Sequence, residues 1–258
     1  MKIYADMHTH TVISGHSYST LRENCVEAKE LGHIAIALTD HAPAISGAPQ
    51  PIYFMAQVPK TQVGIRVLAG VEVNLISPGK ALQMPGSAAS IEDWDGFAMH
   101  NGFDLPDWLL ERKEYVIASM HNGYYIDEGY AGNTERWLRV LDNPNVDCIG
   151  HIGQEAFPCD YETIIKKCVE KNVLLEINNH SFEVREGSAK NCGQVARLCK
   201  KYGARIVVSS DAHNAEEVGR FPHSLALLEE VGFPEELVVN SSPERLKAYF
   251  AEKGVVID

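Results

Sequence analysis

Three side chains near the start of the chain are of types that do chemistry: Asp6, His8 and His10, in Ile3-Tyr4-Ala5-Asp6-Met7-His8-Thr9-His10. Ile3 to Ala5 reads as a short buried strand. Residues two apart in an extended chain point to the same side, so the spacing predicts one carboxylate and two imidazoles on one face of a strand end. Alone, a His-x-His near a terminus is most simply a pair of surface histidines. Here the same kind of group recurs. Asp40-His41 follows Leu38-Thr39, and Glu72 sits in Gly70-Val71-Glu72-Val73-Asn74. His121 follows Ser119-Met120, and His151 follows Ile149-Gly150. Asn178-Asn179 follows Glu176-Ile177, and Asp211 and His213 stand in Ser209-Ser210-Asp211-Ala212-His213. His16 lies in the loop leaving the first run. With it, the set holds 7 of the chain's 11 histidines.

So many imidazoles and carboxylates in one place would crowd like charges, unless divalent cations sit among them. Neutral imidazole with carboxylate suits zinc, and also manganese or iron. None of the six cysteines is placed to join. The ligand candidates are His8, His10, His16, His41, Glu72, His121, His151, Asp211 and His213. They exceed what one tetrahedral ion uses and fit two or three ions with a bridging carboxylate.

The elements that must position these residues alternate along the whole chain. Strands are predicted at 2–7, 33–39, 66–74, 115–120, 146–150, 173–178 and 205–210. Amphipathic helices are predicted at 20–31, 133–141, 160–171, 188–202, 215–231 and 243–253. Strand–helix alternation implies a parallel sheet. Seven such units predict an α/β fold, a closed (β/α)7 barrel forming a single domain over 1–258. Every strand then ends in a candidate residue at its C-terminal end, the face where barrel enzymes keep their chemistry. An open doubly wound sheet is the alternative, weakened because no Gly-x-Gly-x-x-Gly follows the first strand. A stretch at 77–107, rich in Gly, Pro, Ser and Ala, interrupts the rhythm as an insertion. It reads equally as a cover over the pocket or as a small satellite packing the aromatics Trp94, Phe97, Phe103 and Trp108 around its second half.

The net charge is −12, which opposes polyanion binding, since phosphate backbones need clustered Lys and Arg. Three divalent ions would halve it. Scattered cysteines without a Cys-x-x-Cys pair fit a reducing compartment. The N-terminus shows no basic segment followed by a long apolar run, and no apolar run is long enough to span a bilayer. We therefore expect a cytoplasmic protein without membrane contact; a homo-oligomer is left open.

The spaced set Asp6-x-His8-x-His10, His16, Thr39-Asp40-His41, Glu72, His121, His151 and Asp211-x-His213 resembles the polymerase-and-histidinol-phosphatase (PHP) superfamily. More closely, it resembles the small stand-alone bacterial phosphatases of that superfamily with a trinuclear zinc site. The likeness runs nearly end to end and includes Gly15-His16-Ser17-Tyr18-Ser19-Thr20, Leu175-Glu176-Ile177-Asn178-Asn179 and Ser241-Ser242-Pro243. It implies a distorted seven-stranded barrel and three divalent metal ions. One would be held by His8, His10, Glu72 and Asp211, a second by Glu72, His121 and His151, and a third by His16, His41 and His213. The 77–107 stretch looks longer than the family needs.

The expected chemistry is hydrolysis of a small-molecule phosphate monoester, with metal ions lowering the pKa of bound water from ~15.7 to about 7 to give hydroxide. Asp211, Glu72 and His213 would carry the metals through the reaction, and Arg185 would hold the phosphate bidentately. Asp6 and Asp40 read as acceptors for the ring N–H groups of the ligand histidines. The alternatives are a phosphodiesterase or nuclease using the same metals, and a metal- or partner-binding barrel without activity. His33, His100 and His223 are read as bystanders. His180 and Tyr124, Tyr125 and Tyr130 are placed near the pocket without an assigned role.

Overall fold

The structure, a computed structural model, describes residues 1–77 and 101–257. The chain begins with β1 (Ala5–Thr9), α1 (Leu21–Glu30) and β2 (Ala35–Leu38), then a short hairpin of β3 (Thr61–Gln62) with β4 (Ile65–Asn74). It continues through α2 (Asp107–Leu110), β5 (Tyr115–Ser119), α3 (Gly129–Val140), β6 (Cys148–Ile149), α4 (Tyr161–Lys171) and β7 (Leu174–Asn178). It ends with α5 (Ser181–Val184), α6 (Ser188–Tyr202), β8 (Ile206–Ser209), α7 (Pro222–Glu230) and α8 (Pro243–Ala251). Apart from the antiparallel β3, the order is β1-β2-β4-β5-β6-β7-β8, all parallel and in chain order. This is the predicted α/β barrel of seven parallel strands, nearly closed.

The seam between β1 and β8 explains how the barrel closes. At the C-terminal end, Asp211 N donates to His8 O (3.0 Å) and His10 N donates to Ala212 O (2.9 Å). At the other end Asn240 bridges the seam: its amide donates to Ala5 O (2.8 Å) and to Val208 O (2.6 Å). The strands are buried on both faces. Ala5, Met7, Ala35, Ala37, Leu68, Tyr115, Leu174 and Val207 form the interior cluster, floored by Tyr249 and Phe250 of α8. Alternate residues such as Val71, Val116, Ile149, Leu175 and Val208 pack outward against the helices.

The local signals account for most elements. Thr20 caps α1 with a reciprocal Glu23 bond, and Ser242 caps α8 with Pro243 in the first turn. Gly203 in the left-handed region ends α6. Two expectations shift. The helix foreseen at 215–231 breaks into a single turn (Ala215–Glu217) and α7, which starts at Pro222 because proline suits only a first turn. The β3–β4 hairpin was not foreseen. The 77–107 insertion lies mostly outside the described residues, with Trp94, Phe97 and His100; within its described part, Phe103 and Leu105 are buried in the outer core. No helix among the described residues is long and apolar enough to cross a membrane.

Candidate metal centre

The two-residue period that predicted three aligned side chains in β1 is broken by a register irregularity between Asp6 and Thr9. Ala5 and Met7 enter the interior, and His8 reaches it as well. Asp6 is turned away, accepting from Ser210 N (3.1 Å), Ser210 Oγ and Gly219 N (2.8 Å). Burial pushes its carboxyl up to about 6 against those donors.

Glu72, fully buried near the end of β4, is the hub. Its Oε2 lies 3.3 Å from His8 Nε2, 3.6 Å from His10 Nε2 and 2.7 Å from His41 Nδ1. Its Oε1 lies 3.1 Å from His151 Nε2 and 3.4 Å from His121 Nε2. The two oxygens thus face two separate sets of imidazoles. Asp211 closes the first set, with Oδ1 3.1 Å from His10 Nε2 and 3.4 Å from His8 Nε2. His16 and His213 meet through their Nε2 atoms at 3.0 Å. His41 is shared: its ring stacks on His16 at 5.0 Å while its Nδ1 faces Glu72. All nine candidates from 8 to 213 therefore converge on the C-terminal rim. Asp211 and His151 hold left-handed backbone (φ 60° and 26°), unusual for residues with a side chain and characteristic of constrained functional positions. Gly15 shapes the loop that delivers His16, because a Cβ there would collide with the Gly47 carbonyl.

The opposite nitrogens of these rings are tied down. His8 Nδ1 meets Glu176 Oε1 at 2.7 Å, His10 Nδ1 meets Ser14 Oγ at 3.0 Å, and His121 Nδ1 meets Asn74 Oδ1 at 2.6 Å. His213 Nδ1 lies 2.8 Å from Asp211 O. Glu176 also accepts from His151 N (2.8 Å) and Ser209 Oγ. Asp104 holds Asn74 in turn, through its N and its amide. Asp6 and Asp40 were expected to accept from the rings, and neither does. Asp40 instead takes Thr11, Tyr53 Oη and Ser14 Oγ (2.7 Å), so it reaches His10 only through Ser14. Glu176, Ser14 and Asn74 were missed as ring partners, and Glu176 is the charged one. An acidic side chain two before Asn178, in an otherwise apolar strand, was the signal that could have found it.

Electrostatically the cluster is strained. Burial pushes Glu72 upward, but the imidazoles of His8, His121 and His41 outweigh it and hold the carboxyl well below the usual range. Asp211 is likewise well below, through His8 and Arg185 against its burial. His10 is driven well down by burial and by His41 and His213 beside it, and His151 falls to about 4 by burial and Arg185. Four buried atoms, His8 Nε2, His41 Nδ1, Glu72 Oε2 and His121 Nε2, have close nitrogen–oxygen neighbours but none in hydrogen-bonding geometry. Buried polar atoms rarely stay so. Donors left open on their inner side and anchored on their outer side fit a divalent cation. Three triplets, His10–His41–His213, His8–His10–Asp211 and His41–Glu72–His121, each have ligand atoms within 4.8 Å of one another.

The cluster opens into a cavity of about 680 Å³ lined by His16, His41, His121, Tyr124, His180 and Arg185 among others. Arg185 donates to Asp211 Oδ2 (3.1 Å) and to Ser181 Oγ (3.1 Å), rather than to its neighbouring glutamates. His180 stacks 5.8 Å from His213. Tyr125 is buried and bonded to Glu128, and Tyr130 lines a different groove. Asn178 steadies Asp211 (3.0 Å), while Asn179 holds the start of α7.

A family model described as "PHP domain" matches residues 6–180, and one described as "PHP-associated" matches residues 190–222. The chain belongs to the PHP domain family. This PHP chain is 41% identical over 255 residues to a "Probable phosphatase" of Acetivibrio thermocellus, covering 98% of this chain and 97% of that one. It is 38% identical over 260 residues to a "Probable phosphatase" of Clostridium botulinum, covering 100% and 98%. Its fold matches the crystal structure of histidinol phosphate phosphatase from Lactococcus lactis subsp. lactis, complexed with zinc, L-histidinol and phosphate. The TM-score is 0.60 at 16% identity, over 91% of this chain and 95% of that one.

Proposed function

We propose that this PHP protein is a metal-dependent phosphatase acting on a phosphate monoester of a small molecule. The observation that carries the reading is the bridging position of Glu72, whose two oxygens face two imidazole sets at the C-terminal rim. The relatives' names, probable phosphatases over nearly the full length, support it.

In this reading His8, His10, Glu72 and Asp211 hold one cation, Glu72, His121 and His151 a second, and His16, His41 and His213 a third. The imidazole–carboxylate donor set and the zinc named with the Lactococcus lactis structure favour zinc, with manganese or iron as alternatives. When bound, such cations supply Lewis acidity to the phosphoryl group and acidify water. The chain's own part is to orient and exclude. Glu176, Ser14 and Asn74 fix the rings so that their inner nitrogens face the cavity. Arg185, braced on Asp211 and Ser181, presents its guanidinium to a phosphoryl oxygen. Asp211 and His213 join β8 to the cluster.

Substrate size follows from charge. Among the described residues lining the cavity, Arg185 is the one Lys or Arg. One guanidinium suits one phosphate group, whereas a nucleic acid needs a row of cations. The phosphodiesterase reading is tested by assaying a chromogenic monoester beside short oligonucleotides. The central test is His41→Ala and Asp211→Ala: metal content and monoesterase activity should fall together. Full activity in chelator-stripped protein would overturn the proposal.

A further inference from the structure

A second cavity lies behind the metal centre, between the loop after β1, the helical turn Pro51–Met55 and Lys113. Its volume is about 290 Å³, at the lower edge of the ~300–1,000 Å³ typical of small-molecule sites. The walls are apolar: Val12, Leu21, Leu38, Phe54, Val58 and Pro59. The polar lining is Thr11, Thr20, Asp40, Tyr53, Gln57 and Lys113, with Tyr53 Oη donating to Asp40 Oδ2 at 2.9 Å. Asp40 is already satisfied by Thr11, Ser14 and Tyr53.

Lys113 is different. Its Nζ donates to Phe54 O (2.7 Å) and sits 5.3 Å over the Phe54 ring. An ammonium carries three donors, so two remain. Among the described residues Lys113 has no ion-pair partner, although it is largely covered by protein. Burial, and secondarily Arg112, push it down to about 8. A half-desolvated cation at an apolar cavity calls for an anion that brings its own apolar surface.

We propose that this cavity is a second ligand site, for a small monocarboxylate with an apolar body. The carboxylate meets Lys113 Nζ and the body fills the space between Leu38, Val58 and Tyr53. A dianionic phosphate is disfavoured there, since two donors and apolar walls cannot replace its hydration. The site touches the metal centre by a short path. Tyr53 holds Asp40, Asp40 holds Ser14 Oγ (2.7 Å), and Ser14 Oγ contacts His10 Nδ1 (3.0 Å) and accepts from His41 N (3.2 Å). Occupancy is therefore felt at His10.

The test is calorimetric titration of the full-length, chelator-stripped protein with 3-phenylpropanoate, with 3-phenylpropan-1-ol as the neutral control. Binding is independent of catalysis, so failure of the phosphatase reading leaves this result intact. The carboxylate should bind with Kd of about 1 mM or tighter, and the alcohol about tenfold more weakly. Lys113→Met should weaken the carboxylate about tenfold, and Val58→Trp should block both ligands by filling the cavity. Circular dichroism checks that each variant is folded. In the wild type, the carboxylate should shift the His10 ring resonances, and Tyr53→Phe should abolish that shift. No binding at about 10 mM, or unchanged binding in both Lys113→Met and Val58→Trp, overturns the site; unmoved His10 resonances in the liganded wild type overturn the coupling.

Discussion

At the floor of the barrel the strands contribute Ala5, Ala35, Ala37, Leu68, Tyr115 and Leu174, closed by Tyr249 and Phe250. At the rim, a few residues further along the chain, these strands and β8 contribute or lead into His8, His41, Glu72, His121, Glu176 and Asp211. The floor is fully buried and the rim largely so, opening only onto the cavity, so water stabilises little of either. The floor gains from removing apolar surface from water, at roughly 25 cal/mol per Å². The rim gains nothing of the kind: it desolvates charges and leaves ring nitrogens and a carboxylate oxygen without hydrogen bonds. The contrast teaches that the floor holds the fold together and that the rim is carried at a cost in stability. That cost is offset when cations bind there, because ligand binding to the native state adds to its stability.

The comparison can be broken in three ways. The largest expected effect is Phe250→Ala at the floor, a loss of about 3–5 kcal/mol in urea unfolding from a fully buried aromatic. Metal bound per folded molecule should not change; a matching loss of metal would show that the two ends are not separable. Next is Glu176→Gln at the rim, which keeps the volume but weakens the grip on His8 and His151. Metal affinity measured against a competing chelator should drop about 10–100-fold, while the stripped protein should unfold at much the same temperature. The smallest concerns His33, a lone buried imidazole beyond reach of the cluster, packed on Phe221. Burial lowers it to about 4. The unfolded chain takes up a proton below about 6.5 and the folded one only near 4, so stability falls as pH drops through that window. His33→Asn should remove about 1–2 kcal/mol of that acid loss in thermal unfolding across pH 6.5 to 4, with or without metal. Equal acid sensitivity in the variant would assign the loss to the rim instead.

Much of this was legible beforehand because it depends on local repetition. Apolar runs of β type alternating with capped amphipathic helices specify parallel strands, and a polar residue closing each run specifies one crowded rim. The ligand candidates needed only that periodicity. What was missed needed contacts between distant positions. Glu176 is one acidic residue in a strand until His8, on β1 just across β8 and the closing seam, comes within 2.7 Å of it. Asp6 looked aligned with His8 and His10 because two-residue alternation was assumed; Ala5 and Met7 take the interior and leave Asp6 outward, and the irregularity after Asp6 that brings His8 inward has no signature in Asp6-Met7-His8 itself. Arg185 shows the converse. Expected to hold a phosphate, it is held by Asp211, a partner that nothing beside it in the chain foretells.

The sequence by itself determined the barrel, the polar closing residue of each strand and the donor types that suit divalent cations, because hydrophobic period and side-chain chemistry are properties of short segments. Tertiary structure alone decided which nitrogen of each ring faces inward, that one carboxylate stands between two imidazole sets, and that Lys113 looks into an apolar cavity. Those are distances between residues tens to hundreds of positions apart, set by how strands close and loops pack.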